Sequence, residues 1–440
     1  MRQFKPAVIE TGRVESLNHE GAGVVRGGKT VFVSGALPGE SISFIRRQHH
    51  RQHDEAELVA VLEPAAERVA PRCAHFGVCG GCTLQHLDSA AQLHIKEQQL
   101  RDNLTRVGRV APRTWLAPLL GPQWQYRRRA RLGARYVKAR ERSLVGFRER
   151  YSSRVAALER CEVLAPPVDN LVAPLGALLT QLTIRERVPQ IEVAIAETAV
   201  VLVIRVLDPP TDADQQLLLD FEQAHGLRIF LQPAGLNSVR ALREPAPLLE
   251  YTLPEFEVRL RFESSDFIQV NADLNRALVS RVVALLELSA DSQVLDLFCG
   301  LGNFTLPMAR RAAAVVGVEG EAGLVARARD NAARNGIANA EFHSADLAGA
   351  AFATAPWAQR AYSHVLLDPP RAGAREVLPL LARLQPERVV YVSCHPGSLA
   401  RDLGILVHEM GYELLAAGIA DMFPQTNHLE SLAVLAPAGR

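Results

Sequence analysis

Short apolar runs broken by glycine or polar residues fill the first sixty positions. "AVIETGRVESLN", "AGVVRGGKTVFVSG", "ESISFIRR" and "EAELVAVLEP" lie between residues 7 and 62. Strands of this length at roughly ten-residue spacing predict a small β-barrel. A helical pattern follows from Ala90 to about Val107. Strand-like runs return between Val188 and Leu260, with "VAIAETAVVLVIRVL" the clearest pair. From about Phe267 the rhythm changes. "SQVLDLFCG", "AAVVGVEG", "HVLLDPP" and "RVVYVSC" are apolar runs flanked by helical segments such as "AGLVARARDNAARNG". That alternation predicts a parallel sheet covered on both faces. The chain therefore reads as multidomain: an N-terminal β-barrel, an α+β centre and a C-terminal α/β unit, for which 440 residues suffice.

Composition changes this little. A hydrophobic fraction of 48% with 6% aromatics suits a soluble protein with ample core. No apolar run reaches the length of a membrane span, and "MRQFKPAVIE" lacks the apolar centre of a signal peptide. A cytoplasmic protein with no membrane partner is expected. Net charge is only +1, yet it is unevenly spread: from Tyr126 to Arg150 ten Lys/Arg stand against two Glu, interleaved with Tyr126, Tyr136 and Phe147. Arginines among aromatics suit phosphate contacts and base stacking, whereas an ordinary charge run is a solvated strand face. Arg46, Arg47 and Arg51, with His49, His50 and His53, tilt the barrel toward nucleic acid in the same way.

Six cysteines are too few and too uneven for a secreted disulfide scaffold. Cys73, Cys79 and Cys82 fall within ten residues, beside Gly77, Gly80 and Gly81, which let the chain wrap, and Cys161 is a plausible fourth ligand. On spacing alone a zinc ion, a [4Fe–4S] cluster and free thiols without metal are all open.

"VLDLFCGLGNF" (294–304) is a buried strand ending in Asp296, then a Gly-x-Gly turn at Gly300 and Gly302. Glycine suits a backbone that bends tightly and approaches a ligand closely. The next strand ends in Glu319, placed to accept hydrogen bonds from ribose hydroxyls. A dinucleotide site would want a third glycine at 305, where threonine stands. The D-x-F-x-G-x-G form instead resembles motif I of the class I methyltransferases, whose cofactor, S-adenosylmethionine, carries no phosphate.

"LLDPPRAG" (366–373) places Asp368 at another strand end, and its prolines remove donors so that carbonyls stay free to meet a ligand. Arginine at 371, where amine-methylating enzymes carry an aromatic, leaves carbon methylation open. C5 of uracil is a poor nucleophile until something adds to C6, so its methylation needs a thiolate near the cofactor and a base for the C5 proton. Cys394 in "YVSCHPGS" ends the strand after the one carrying Asp368, and both should face one crevice. "MFPQTNHLESLAVL" adds Glu430 as the natural base, with His428 second.

"FIQVN" (267–271), "DLFCGLGNF", "DPPRAG", "SCHPGSLARDL" and "FPQTNHLES" together resemble the bacterial RNA uracil-C5 methyltransferases, which make 5-methyluridine from S-adenosylmethionine. The barrel resembles an OB-like, RNA-binding TRAM domain. Barrel plus cysteine cluster is similar to the 23S ribosomal RNA branch, which modifies uracil 1939. The resemblance implies Cys394 as nucleophile, Glu430 as base and Asp368 on the uracil edge. It implies Gln269, Phe298, Asn303, Glu319, Asp346 and Asp368 around the cofactor, and a [4Fe–4S] cluster on Cys73, Cys79, Cys82 and Cys161. Radical chemistry would want a different cysteine spacing. The implied units are a barrel at 1–68, an iron–sulfur domain at 69–92 and 123–262, and a Rossmann-like methyltransferase domain at 93–122 and 263–440, acting on 23S rRNA as a monomer. The same chemistry on another ribosomal or transfer RNA uracil is the alternative, and a non-catalytic RNA-binding iron–sulfur protein is the alternative of another class. One residue departs from the pattern: His395 stands where the family commonly has asparagine.

Overall fold

The computed structural model describes residues 8–349 and 351–439. Residues 1–7, most of the stretch read as lacking a signal peptide, lie outside the described residues. Five strands, β1 (Glu10–Leu17), β2 (Gly23–Val25), β3 (Thr30–Ser34), β4 (Ser41–His49) and β5 (His53–Glu63), close a barrel in the order β1-β2-β3-β5-β4. In β3 Val31 and Val33 are buried between partly exposed neighbours, the period-two pattern of a strand with one wet face. Val14, Ile42 and Phe44 complete this small core.

The barrel's cations are mostly neutralised within it. Arg46 bridges Glu10 and the buried Asp54, Arg47 pairs with Glu57, and His49 and His50 meet Asp54 and Glu55 at 3.2 and 3.3 Å. Acids on adjacent strands therefore answer most of the charge that the linear pattern turned toward nucleic acid.

Helix α1 (Ser89–Asn103) starts where Asp88 accepts from the amides of Ala90 and Ala91. It is followed by a two-residue strand, β6 (Thr114–Trp115). The central sheet takes β7 (Arg129–Val137), β8 (Arg142–Gly146), β9 (Gln190–Ile195), β10 (Val200–Arg205), β11 (Arg228–Gln232) and β12 (Arg240–Ala241) in the order β12-β11-β10-β9-β7-β8. Helices α2 (Val172–Gln181) and α3 (Asp212–His225) fall between its strands in the chain, and the hairpin β13 (Leu249–Leu253) and β14 (Val258–Phe262) follows it.

The rest is α/β: α4 (Ala272–Leu286), β15 (Gln293–Leu297), α5 (Thr305–Ala309), β16 (Ala314–Glu319), α6 (Ala322–Arg334), β17 (Ala340–Ser344), β18 (His364–Leu367), α7 (Leu378–Leu384), β19 (Arg388–Ser393), α8 (Pro396–Glu409), β20 (Tyr412–Ala420) and β21 (Glu430–Pro437). The sheet order is β17-β16-β15-β18-β19-β21-β20-β6. Strands β15 to β19 are parallel, and β21 runs against both β19 and β20. The continuous apolar runs are explained by burial on both faces, with Val294, Leu295 and Leu297 wholly enclosed. β6 closes the far edge against β20. A Cβ at Gly108 would come within 2.5 Å of the Ala400 carbonyl oxygen, so glycine lets the segment after α1 lie directly on α8. No described helix is long and apolar enough to cross a membrane.

The arginine-rich stretch divides by burial. Arg128 is enclosed against the Tyr251 ring at 4.6 Å, and Arg150 donates to the Cys82 carbonyl at 2.7 Å. Arg135, Arg140, Arg142 and Arg148 stay exposed. Six of the ten cations are exposed, and the other four, Arg127, Arg128, Arg129 and Arg150, are wholly or partly buried.

Candidate active site

All parallel strands of the large sheet end at one edge, and β21 begins there because it runs the other way. The edge gathers Phe298 after β15, Glu319 closing β16, Asp346 after β17, Asp368 after β18, Cys394 after β19 and Glu430 opening β21. Ser393 pairs with Ser431 on the last rung of that ladder, and Cys394 and Glu430 lie directly beyond it, close enough for the Glu430 charge to act on the thiol. These six residues and Gln269 line one open cleft of about 950 Å³. Such crevices beyond carboxyl strand ends are where open α/β sheets hold ligands.

The cofactor half is built on backbone. Gly300 and Gly302 have φ of 55° and 96°, and Phe298, a non-glycine, is held at 68° by amides of Phe298 and Cys299 that donate to the Val318 carbonyl. Left-handed backbone of this kind concentrates at ligand sites. The Glu319 carboxylate accepts from the Gly300 amide and from the Glu321 amide, both at 3.1 Å, which fixes its orientation. Asp346 accepts from the Ala348 amide at 2.9 Å. Beneath the turn, Asp296 is fully buried and burial pushes its pKa up to about 8. Thr305 donates to it at 2.5 Å, so the side chain standing in place of a third glycine satisfies a buried acid. Asn303 lies off the cleft wall, where its amide oxygen accepts from Tyr251 at 2.9 Å and Asn275 at 3.0 Å. Gln269 is fixed through its carbonyl, which accepts from Arg128 at 2.8 Å.

In the other half, burial first, then the charges of Glu430 and Asp368, push the Cys394 thiol up to about 11, with Arg371 opposing them. Glu430 is itself 3% exposed, and burial and the neighbouring Asp368 raise its pKa well above the ordinary value. Burial raises Asp368 likewise. In the loop after Asp368 three carbonyls are already occupied, whereas those of Asp368 and Pro369 accept no hydrogen bond from any described residue. Pro370 accepts from the Gly373 amide at 2.9 Å, Arg371 from Ser398 Oγ at 3.0 Å and Ala372 from Arg401 at 2.8 Å. The prolines fix the loop's shape, and Asp368, Pro369, Pro370 and Arg371 all line the cleft. His428 is exposed, and its Nδ1 faces the Arg371 guanidinium at 3.4 Å.

Phe267, Phe423 and Thr426 share the cleft and carried no individual role in the sequence reading, while Arg127 and Phe147, also in its wall, belong to the stretch read as contacting nucleic acid. Phe267 had a signal: it belongs to "FIQVN", yet unlike its neighbours it is 72% exposed at the cleft wall. Arg127 lies 5.6 Å over the Phe147 ring, an arrangement that only folding brings together.

Cys73, Cys79, Cys82 and Cys161 converge on one separate pocket. Among the described residues no three of their sulfurs lie within 4.8 Å of one another. Tetrahedral zinc, with Zn–S of about 2.3 Å, would bring thiolates closer than this. Burial, and then the other cysteines, raise the Cys79 and Cys82 thiols to about 11 and 12, while Arg150 opposes this at Cys79. The Gly81 amide points at Cys79 Sγ at 3.4 Å. Four sulfurs, an N–H···S contact and a half-buried arginine form a donor set suited to an anionic, thiolate-ligated cluster wider than one ion.

Residues 250–437 match the family model described as tRNA (Uracil-5-)-methyltransferase. The chain is 50% identical over 425 residues, 96% of each chain, to a protein of Xanthomonas campestris pv. campestris named 23S rRNA (uracil(1939)-C(5))-methyltransferase RlmD. A protein of the same name from Nitrosococcus oceani is 50% identical over 96% of this chain and 94% of its own. Among solved structures, a Pyrococcus abyssi tRNA (uracil-54, C5)-methyltransferase in complex with S-adenosyl-L-homocysteine shares the fold, with a TM-score of 0.74 at 23% identity, covering 97% of this chain and 99% of that one. With identity at this level along nearly its whole length, the chain belongs to the 23S rRNA (uracil-C5)-methyltransferase family and is an S-adenosylmethionine-dependent enzyme.

Proposed function

We infer that this enzyme methylates C5 of uracil 1939 in 23S ribosomal RNA through a covalent bond between Cys394 Sγ and C6 of the base. The observation that carries this is the convergence of Cys394, Glu430 and Asp368 on one cleft, with Cys394 and Glu430 directly beyond the Ser393–Ser431 rung. The target base must leave its stack to reach the cleft. As a thiolate, Cys394 Sγ adds to C6, and the electron pair moves through C5 toward the O4 carbonyl. Asp368, its proton affinity raised by burial, can donate to the oxygen where that charge gathers. As C5 takes the methyl group of the sulfonium, leaving S-adenosylhomocysteine, the O4 carbonyl reforms and its proton returns to Asp368. Glu430 removes the C5 proton, and the released pair restores the C5–C6 double bond and expels Sγ. Glu430 suits this step better than His428, whose Nδ1 is turned to a guanidinium. Glu319 and Asp346 would hold the cofactor's polar groups and Phe298 one side of it, with Asn303 bracing the turn from behind.

Cys73, Cys79, Cys82 and Cys161 would hold a [4Fe–4S] cluster, which would supply a cross-link between the loop at 73–82 and the segment around Cys161. The proposed units are an RNA-binding barrel at 1–68, an iron–sulfur unit at 69–92 and 123–262, and a methyltransferase unit at 93–122 and 263–440; β6 in the catalytic sheet supports the last.

Labelled S-adenosylmethionine and unmodified ribosomal RNA test the chemistry. Cys394→Ala should form no 5-methyluridine, and undiminished product would remove Cys394 from the reaction. Mapping the product to another ribosomal or a transfer RNA uracil would keep the chemistry and replace the substrate.

A further inference from the structure

The edge that carries Cys394 opens a second way. A cleft of about 860 Å³ shares Arg371, Cys394 and His428 with the first, then leads between His19 and Glu20 of the barrel and the start of α8. Its walls come from opposite ends of the chain, and no step of the reaction above uses it.

His395 stands in this wall with its proton position fixed. Its Nδ1 accepts from the Ser398 amide at 3.0 Å, capping α8, so the ring nitrogen there carries no hydrogen. In the neutral ring the hydrogen then sits on Nε2. Burial and the nearby cations Arg371, His19 and Arg401 hold the ring in its neutral form by lowering its pKa. Nε2 makes no hydrogen bond to any described residue, and the ring lines the cleft. The helix terminus is occupied by the imidazole and offers nothing further. What the cleft receives is a ring donor of set direction.

Arg371 stands where the two clefts meet. It is exposed and in no ion pair among the described residues, where its side chain's one hydrogen-bond partner is His428. Arg401 nearby is neutralised by Asp402 at 2.7 Å. The amides of Gln99 and Asn103 add polar wall, and Glu20, the one acid lining the cleft, is 3.9 Å from His19. An unpaired guanidinium, a fixed N–H and side-chain amides suit a phosphodiester, which offers acceptors only. Because Arg371 and His395 flank Cys394, a group they hold must be joined closely to the base above Sγ.

We propose that this second cleft binds the nucleotide adjoining the target uracil, with Arg371 and His395 holding the phosphodiester that links the two. This rests on an RNA uracil being the substrate. His395 is then a positioning residue for the reaction, and Arg371 divides base from backbone.

The test uses the full enzyme and a short RNA hairpin containing the target uracil, with single neutral methylphosphonate linkages introduced one position at a time. One linkage beside the uracil should weaken binding to the wild type about tenfold and lower the salt dependence by about one phosphate. Arg371→Ala should bind about tenfold more weakly and be indifferent to that same linkage. His395→Asp keeps an acceptor for the Ser398 amide but replaces the donor with a charge, and should bind about as poorly. His395→Asn caps and donates, and should recover most of the loss. If no linkage within two nucleotides of the uracil couples to either residue, the subsite is wrong. Methylation is read in the same samples. Product from the wild type with uncoupled linkages overturns only the subsite, whereas no product from any hairpin overturns the substrate itself.

Discussion

Cys394 lies beside Glu430 just beyond the last rung between β19 and β21, and after burial that carboxylate is one of the charges that push its thiol up to about 11. Thiolate is therefore scarce at neutral pH, and its fraction grows about tenfold per pH unit below the pKa. The rate of methylation should climb steadily from pH 7 to 9, and a flat profile would mean that another step governs turnover. Glu430→Gln removes the charge and should let iodoacetamide alkylate Cys394 several-fold faster at pH 8, measured by mass spectrometry. The same variant should stall after methyl transfer and leave an RNA–protein adduct on a denaturing gel; normal turnover would exclude Glu430 as the base. Stability follows from the sign of the shift. Burial raises the folded pKa of Glu430 above its unfolded value, so the wild type is penalised as pH rises through that folded pKa. Glu430→Gln should thus melt higher than the wild type at pH 8 and show no such advantage at pH 4. These residues were legible because each stands at a strand end, and period alone finds strand ends. The state of their protons was not, since it depends on neighbours in other strands.

At the scale of elements, the loop from Asp421 to His428 is held from two sides. Lys96 on α1 reaches Asp421 at 2.6 Å with 1% and 4% of the side chains exposed, and also donates to the Phe423 carbonyl at 3.1 Å. Gln425, at φ 68°, offers its carbonyl to the amides of Thr83 and Leu84, both at 3.0 Å, just past Cys82. Lys96→Met should cost about 3–5 kcal/mol in urea unfolding, because it strands a buried carboxylate. Lys96→Met with Asp421→Leu should recover much of that, and a double loss equal to the sum of the two single losses would show that the two do not act as a pair. The helix was visible in its periodicity, and the strand after Glu430 in its apolar run. The pair between them, 325 residues apart, has no local signature. Nor had the barrel arginines' partners, since register, not sequence distance, brings Glu10 and Asp54 to Arg46.

Over the whole molecule, the cysteine pocket and the catalytic edge meet through that loop. Thr83, next to Cys82, hydrogen-bonds Asn427 at 3.0 Å, and Tyr126 donates to the Pro424 carbonyl at 2.9 Å. Cys79→Ser should lose the visible absorbance of an anaerobically purified cluster and lower the melting temperature. It should also depress RNA methylation more than S-adenosylmethionine binding measured by calorimetry, since the loop borders the base and not the cofactor turn. A colourless, zinc-loaded wild type would overturn the cluster. The α/β half could be read in detail because buried parallel strands leave an unbroken apolar signal. The central unit could not, because its arginines serve both core and surface.

The two residues of β6 set the order in which this protein can be completed. They pair with β20, which is made about 300 residues later. At synthesis rates of about 5–20 residues per second, that is a wait of roughly 15–60 s. Throughout it α1 holds Lys96 and Leu100, both destined for burial, while α8, β20 and Asp421, which pack against this helix, are still unmade. The ribosome thus delivers the first piece of the catalytic sheet long before its neighbours, and the growing chain must keep that piece apart from its own central domain until the last strands emerge.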